Sequence, residues 1–334
     1  MDRLIKVAVD AMGGDNAPAE IVKGAVEAVN ESTKIKVILV GDEAAVKGEL
    51  AKYSYDKERI EVVHASEIIT NNEHPVEAVR KKKDASTVVA QKLVRTGDAD
   101  AFVSAGSTGA VLVGGQLLIG KIKGVERAPL APVIPTEKGV SLLIDCGANV
   151  DARPSHLVQF AKMGTIYMEN VIGRKNPTVA IVNVGAEEEK GNQLVRDTMP
   201  LLKECKDINF IGSIEAREIP HGGADIIVCE AFTGNVILKL YEGVASTLLG
   251  RVKQTLKSSL KTKIGALFVK DALKNMAKEF DSSEYGGAPM LGLKGLVIKS
   301  HGSSKAKDIR ICILKCIAFV ENDVTGKISE HIKE

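Results

Sequence analysis

Tryptophan is absent from the 334 residues, and aromatic residues make up only 4%. Binders of single-stranded nucleic acid stack bases on aromatic rings, so the composition speaks against that class. A dominant charge is lacking too. The formal net charge is +2, with no global pull toward nucleic acid or membrane. The five cysteines, Cys146, Cys205, Cys229, Cys312 and Cys316, are dispersed. An odd count with no secretory-signal layout fits reduced thiols in the cytosol rather than a disulfide framework. Cys312 and Cys316 share helical spacing, half of a metal site, but no Cys/His pair recurs elsewhere, so they read as core. No apolar run reaches the ~18–20 residues that a spanning helix needs. Walker A, Gly-x-Ser-x-Gly and clean Gly-x-Gly-x-x-Gly patterns are all missing, and so is an obvious nucleophile triad.

Glycine is plentiful, at 31 residues, and 45% of the chain is hydrophobic. Apolar runs predict strands at Ile5–Val9, Ile35–Val40, Ile60–Val63, Ala101–Val103, Val140–Ile144, Val179–Val182, Ile208–Ile211, Ile226–Val228 and Leu296–Ile298. Many are apolar on both faces, as parallel strands covered by helices are. Helix-period segments lie between them, among them Pro18–Asn30, Ser86–Arg95, Thr108–Ile119, Ser155–Val171 and Gly191–Glu204. The alternation predicts one α/β domain over residues 1–334, a three-layer α/β/α fold on a mostly parallel sheet. Residues 234–280 carry few strand signals and read as a helical excursion. Three prolines between Ala128 and Pro135 suit an extended edge or turn.

Ligands of open α/β sheets bind beyond the carboxyl ends of the strands. Small, polar and charged residues follow six predicted strands there: Asp10–Asp15, Ser104–Gly109, Asp145–Asp151, Asn183–Asn192, Glu230–Asn235 and Ser300–Ser304. Gly-rich turns that open a helix expose N–H groups to an anion, above all phosphate. Ser104–Gly109, Thr233–Asn235 and His301–Ser304 have that form. His301 has two readings, an acid/base or phosphate ligand and a capping neighbour. Lys190 also has two, a cation that neutralises a substrate oxyanion or phosphate and an exposed partner of Glu187. Cys146 reads as a small buried hydrophobe.

The loops together resemble one family. Val9-Asp-Ala-Met-Gly-Gly-Asp15, Ser104-Ala-Gly-Ser-Thr-Gly-Ala110, Asp145-Cys-Gly-Ala-Asn-Val-Asp151, Phe232-Thr-Gly-Asn-Val236, Tyr285-Gly-Gly-Ala288 and His301-Gly-Ser-Ser304 are similar to the motif series of the bacterial (PlsX-type) acyl-carrier-protein:phosphate acyltransferases. The resemblance implies transfer of a long-chain acyl group from acyl carrier protein to inorganic phosphate. The acyl phosphate formed then serves a membrane glycerol-3-phosphate acyltransferase in phospholipid synthesis. It implies a fold similar to phosphotransacetylases and isocitrate-type dehydrogenases, a homodimer, and neither metal nor organic cofactor. One position departs: the family usually has Asn where this chain has Ser107.

Phosphate is itself the nucleophile in such a reaction, so the protein's tasks are to bind the dianion and stabilise the tetrahedral oxyanion. Phosphate binding is assigned to Gly106, Ser107, Thr108 and Gly109 with Lys190 and His301, and the oxyanion to Asn149 and Asn235. Asp10 is expected to orient Asn149 or Lys190, and Asp15 to cap a helix or fix its loop. Arg80, Lys81, Lys82 and Lys83 are expected to dock the acidic carrier protein, or else to form a solvated helix face. From Arg251 to Lys278 eight basic residues stand against one acid, and the apolar Ile264, Leu267, Phe268 and Val269 sit among lysines. That pattern fits shallow insertion into an anionic membrane surface, or a hairpin packed on a dimer mate. A cytoplasmic, peripherally membrane-associated enzyme without nucleic-acid partners is the expectation. A phosphotransacetylase acting on short acyl-CoA and a non-catalytic lipid- or carrier-binding scaffold are the alternatives.

Overall fold

A computed structural model describes residues 3–279 and 282–332. The chain first lays down β1 (Ile5–Asp10), β2 (Ile35–Gly41), β3 (Ile60–His64) and β4 (Ala101–Ser104). Between these strands run α1 (Ala19–Glu31), α2 (Glu43–Leu50), α3 (Pro75–Lys81) and α4 (Ser86–Thr96). β1 and β4 are almost wholly buried, which is why IKVAVD and AFVS lack a polar alternation.

After α5 (Thr108–Gly114) the chain builds β5 (Val133–Thr136), β6 (Gly139–Ile144), β7 (Thr178–Asn183), β8 (Asn209–Glu215) and β9 (Ile226–Val228). Their helices are α6 (Pro154–Tyr167) and α7 (Gln193–Glu204). Two long helices follow, α8 (Ala231–Lys257) and α9 (Leu260–Glu279). The chain then returns through β10 (Ala288–Met290) and β11 (Leu296–Lys299) to α10 (Ala306–Glu321) and α11 (Val324–His331).

The strands form two sheets where the sequence pattern suggested one. Their orders are β10-β11-β4-β1-β2-β3 and β5-β6-β9-β7-β8. All pairings are parallel except β10 with β11 and β5 with β6. The proline-rich segment becomes β5, an edge strand, where Pro135 costs no ladder hydrogen bond. One buried cluster joins Val7, Val9 and Val103 of the first sheet to Leu142, Ile144 and Ile181 of the second. α10 contributes Ile309, Cys312 and Cys316 to the same cluster, so those cysteines are core residues.

The return of β11 decides what the site contains. It pairs with β4 in parallel, Lys299 opposite Ser104, while Val9 of β1 lies opposite Val103 on the other side of β4. Asp10, Ser104 and Lys299 therefore end three neighbouring parallel strands at one level, with strands about 4.8 Å apart.

Candidate active site

The first loop is anchored by Asp10. Its Oδ1 accepts from Ser86 Oγ at 2.6 Å and its Oδ2 from Ser104 Oγ at 2.7 Å. Ser104 Oγ in turn accepts from the Gly106 N–H at 2.9 Å. Burial raises the Asp10 pKa above the ordinary carboxylate value, against the lowering effect of the two serines and of Lys299. Gly13 allows this packing: a Cβ there would lie 2.5 Å from Asp10 Oδ2 and 2.8 Å from Gly106 N. The Asp15 N–H donates to the Gly302 carbonyl at 2.8 Å, and Asn16 Nδ2 to the Ser303 and Ser304 carbonyls at 3.0 and 3.1 Å. The loop after β1 thus fastens the loops after β4 and β11 together. Asp10 binds serines, not Asn149 or Lys190 as expected. Asp15 does not cap α1, whose start at Pro18 has no side-chain cap.

A second buried carboxylate orders the loop after β6. Asp145 Oδ1 accepts from the N–H groups of Leu130, Gly147 and Ala148 at 3.0–3.1 Å. Its Oδ2 accepts from Asn149 N at 2.9 Å and Asn149 Nδ2 at 2.7 Å. Asn149 Nδ2 also donates to the Ala128 carbonyl at 3.1 Å. Both amide hydrogens of Asn149 are therefore spent, and its expected role as an oxyanion donor gives way to a structural one. The loop is pressed against α8: the Ala231 N–H donates to the Asn149 carbonyl at 3.1 Å. A Cβ on Gly234 would fall 1.9 Å from the Asp145 carbonyl oxygen, so only glycine fits. Cys146 is buried within this loop, and burial pushes its thiol well above the ordinary value, away from nucleophile chemistry.

The start of α8 is not an open anion site. The Glu230 carboxylate caps it, accepting from Phe232 N at 2.6 Å and Thr233 N at 3.0 Å. An anion at Thr233–Asn235 would compete with a carboxylate already in place. At α5, Ser107 is the N-cap, its Oγ facing the Ala110 N–H at 3.5 Å, and Gly109 rests on the Pro75 ring. Among the four residues assigned to phosphate, Gly106 and Ser107 thus have local partners, and Thr108 faces open space.

That space is a cleft of about 970 Å³. Thr108, Cys146, Gly147, Asn235, Lys239, Lys299, His301 and Ser303 contribute to its walls. It gathers residues from both sheets, from α8 and from the start of α10. Asn235 is exposed in it, and His301 shares a 2.8 Å hydrogen bond between Nδ1 and Ser303 Oγ. The residue that the sequence reading missed is Lys299, only 8% exposed. It falls between the predicted strand Leu296–Ile298 and the loop Ser300–Ser304, and only the insertion of β11 beside β4 brings it to the cleft.

Lys190 lies elsewhere. It pairs with Glu187 at 2.8 Å, its side chain 51% exposed, beside a separate cavity of about 600 Å³ whose walls include Asn183, Gly191 and Phe232. Each holds the other charged: Glu187 is lowered and Lys190 raised from their ordinary values, the direct hydrogen bond being the first cause. The bland reading of Lys190 is therefore the one its geometry supports.

Within the basic run, Lys81 pairs with Glu77 at 2.8 Å and Lys82 with Glu73 at 2.7 Å, while Arg80 and Lys83 are exposed. On α9, Ile264 is 52%, Leu267 73%, Phe268 86% and Val269 43% exposed. Among the described residues no helix is long and apolar enough to cross a membrane.

Residues 5–327 match the family model described as "Fatty acid synthesis protein". A protein named phosphate acyltransferase from Clostridium perfringens is 52% identical over 328 residues, 98% of this chain and 97% of that one. The protein of the same name from Clostridium acetobutylicum is 50% identical over 328 residues, covering 98% and 99%. A phosphotransacetylase from Streptococcus pyogenes aligns over 95% of this chain and 94% of its own, with TM-score 0.63 at 17% identity. The EutD phosphotransacetylase from Staphylococcus aureus gives 0.61 at 17% over 94% of each chain. At that identity the two structures establish a common α/β fold. The sequence relationship goes further, and by it this chain belongs to the phosphate acyltransferase family and is an acyltransferase.

Proposed function

We propose that the cleft transfers a long-chain acyl group from the thioester of acyl carrier protein to inorganic phosphate. The observation that carries this reading is a single cleft, in a phosphate acyltransferase, that joins hydroxyls, an amide and lysines at the carboxyl ends of the strands. A phosphate oxygen attacks the thioester carbon and forms a tetrahedral oxyanion. Collapse breaks the C–S bond, leaving an acyl–O–P linkage. The carrier leaves as thiolate and takes the proton given up by hydrogen phosphate. Thr108 and His301 supply hydrogen bonds to phosphate, and Asn235 supplies a donor for the oxyanion. No strong general acid is required, because a thiolate leaves readily.

The partners belong to the same proposal. Arg80 at the end of α3 and Lys83 just beyond it, both exposed, present charge complementary to an acidic carrier protein. Leu267 and Phe268, with Lys261, Lys263 and Lys270 nearby, suit insertion into an anionic membrane surface, where a fatty product is handed to a glycerol-3-phosphate acyltransferase. The enzyme works as a homodimer, cytoplasmic and peripherally bound.

The test is acyl-phosphate formation with palmitoyl-acyl carrier protein and with acetyl-CoA as competing donors. Preference for the carrier thioester supports the reading. Preference for acetyl-CoA would reassign the protein to short-chain phosphotransacetylase chemistry.

A further inference from the structure

We propose that the ammonium of Lys299 is the buried cation that receives the substrate phosphate in the cleft. The inference rests on the reading of phosphate as acyl acceptor, and the geometry supplies the rest. Lys299 ends β11 at the level where Ser104 ends β4 and Asp10 ends β1. It lines the cleft together with Thr108 and His301. Among the described residues its hydrogen-bond acceptors are the carbonyls of Ala105, at 3.5 Å, and Ser300, and no carboxylate makes an ion pair with it. Carbonyl oxygens orient an ammonium but do not neutralise it. Buried charges in proteins are ordinarily paired, because an unpaired one bears the whole desolvation cost. A lysine held more than nine-tenths out of water, without a counter-ion and facing a cleft, is prepared for an anion that arrives from outside.

The surroundings fit that role. Asp10 attracts Lys299 from beyond ion-pair distance, but both its oxygens are engaged by Ser86 and Ser104. Asp15 and Cys312 add attraction, and Lys239 on the α8 wall adds repulsion. Burial outweighs these and pushes the Lys299 pKa down to about 8, so the side chain remains mostly charged at neutral pH. Lys239 is held by Glu242 at 2.8 Å, so its charge is already shared. A phosphate dianion between Lys299 and Thr108 would supply the missing counter-charge. The ammonium's remaining N–H would then be used in a charge-assisted hydrogen bond.

The alternative role is purely structural, tying the Ala105 and Ser300 carbonyls together. Two variants separate the roles. Lys299→Met removes charge and donors, and Lys299→Gln keeps a donor without the charge. Thermal melting of wild type and both variants is measured with and without inorganic phosphate, alongside KM for phosphate and for the acyl donor. The expected result is a phosphate-dependent rise in Tm for wild type that both variants lack. KM for phosphate should rise about 10- to 150-fold, as loss of a charged hydrogen bond implies, with donor KM unchanged. A wild-type phosphate response in Lys299→Gln, or no response in wild type, overturns the assignment. If wild type binds phosphate through Lys299 yet makes no acyl phosphate from any donor, the transfer reading fails and the lysine's role as phosphate ligand is supported.

Discussion

Replacing Gly13 with alanine drives a methyl group into the contact that orders the first loop. The backbone there is not left-handed, so alanine is conformationally acceptable and the effect is steric. The new Cβ would lie 2.5 Å from Asp10 Oδ2, 2.8 Å from Gly106 N and 2.9 Å from Asp10 Cγ. Ordinary contact requires about 0.8 Å more, by the ~3.3–3.6 Å at which carbon meets oxygen in weak contacts. Neither neighbour yields easily, since Asp10 is held by two serines and Gly106 by Ser104. Overpacking costs about 1–3 kcal/mol. Weakening one charged hydrogen bond of Asp10 adds up to about 1.5–3 kcal/mol. A loss of about 2.5–6 kcal/mol in unfolding free energy is expected on those two terms. Displacing the β4 loop toward 1 Å should lower kcat/KM about 100-fold. Urea denaturation and phosphate-dependent turnover measure the two effects. Gly48→Ala is the control, because in α2 its Cβ meets nothing within 4 Å and helix propensity alone favours alanine by about 0.8–1 kcal/mol. A Gly13→Ala protein as stable and active as wild type would refute the role given to this packing.

Other outcomes follow from the same geometry. Lys190→Ala should leave turnover within about twofold of wild type, because exposed pairs such as Lys190–Glu187 contribute little; a loss at limiting phosphate would return Lys190 to the site. A Leu267→Glu, Phe268→Glu double variant should stop sedimenting with anionic vesicles while keeping turnover in solution; unchanged sedimentation removes α9 from the membrane contact. Burial also pushes Lys315 down to about 8. Between about pH 8 and 10.4 this lysine keeps a proton in the unfolded chain that it has lost in the folded one, so its contribution to stability rises with pH across that window and is flat below it. Lys315→Met should remove that contribution, so that the change in stability between pH 7.5 and 9.5 in denaturation curves becomes less positive than in wild type, and an unchanged slope would contradict the assignment.

The strands were legible because parallel strands buried on both faces need continuous apolar runs. Leu296–Ile298 and Ile226–Val228 stand out for that reason, and all nine expected strands coincide with observed ones. The helical excursion was legible as well, as α8 and α9. The partition into two sheets was not, because pairing partners such as β4 and β11 are remote in sequence. β10 escaped notice because Ala288–Met290 is three residues long and holds a proline. Loop composition pointed to the edge where the cleft lies but not to the partners of each group. Asn149 and Glu230 carry the right chemistry for donors and acceptors, yet Asp145 and the Ala128 carbonyl consume the first and backbone N–H groups the second. Lys190 stood in a polar loop and drew attention, whereas Lys299 fell between the apolar run Leu296–Ile298 and the loop that follows it. Burial of a charge is a tertiary property, and no local pattern announces it.

The most direct test of the central claim is the rate of acyl-phosphate formation from palmitoyl-acyl carrier protein as inorganic phosphate is varied. A saturable, phosphate-dependent rate with release of one free carrier thiol per acyl phosphate is expected. Carrier thioester that stays intact at every phosphate concentration, in the presence of folded protein, would contradict it.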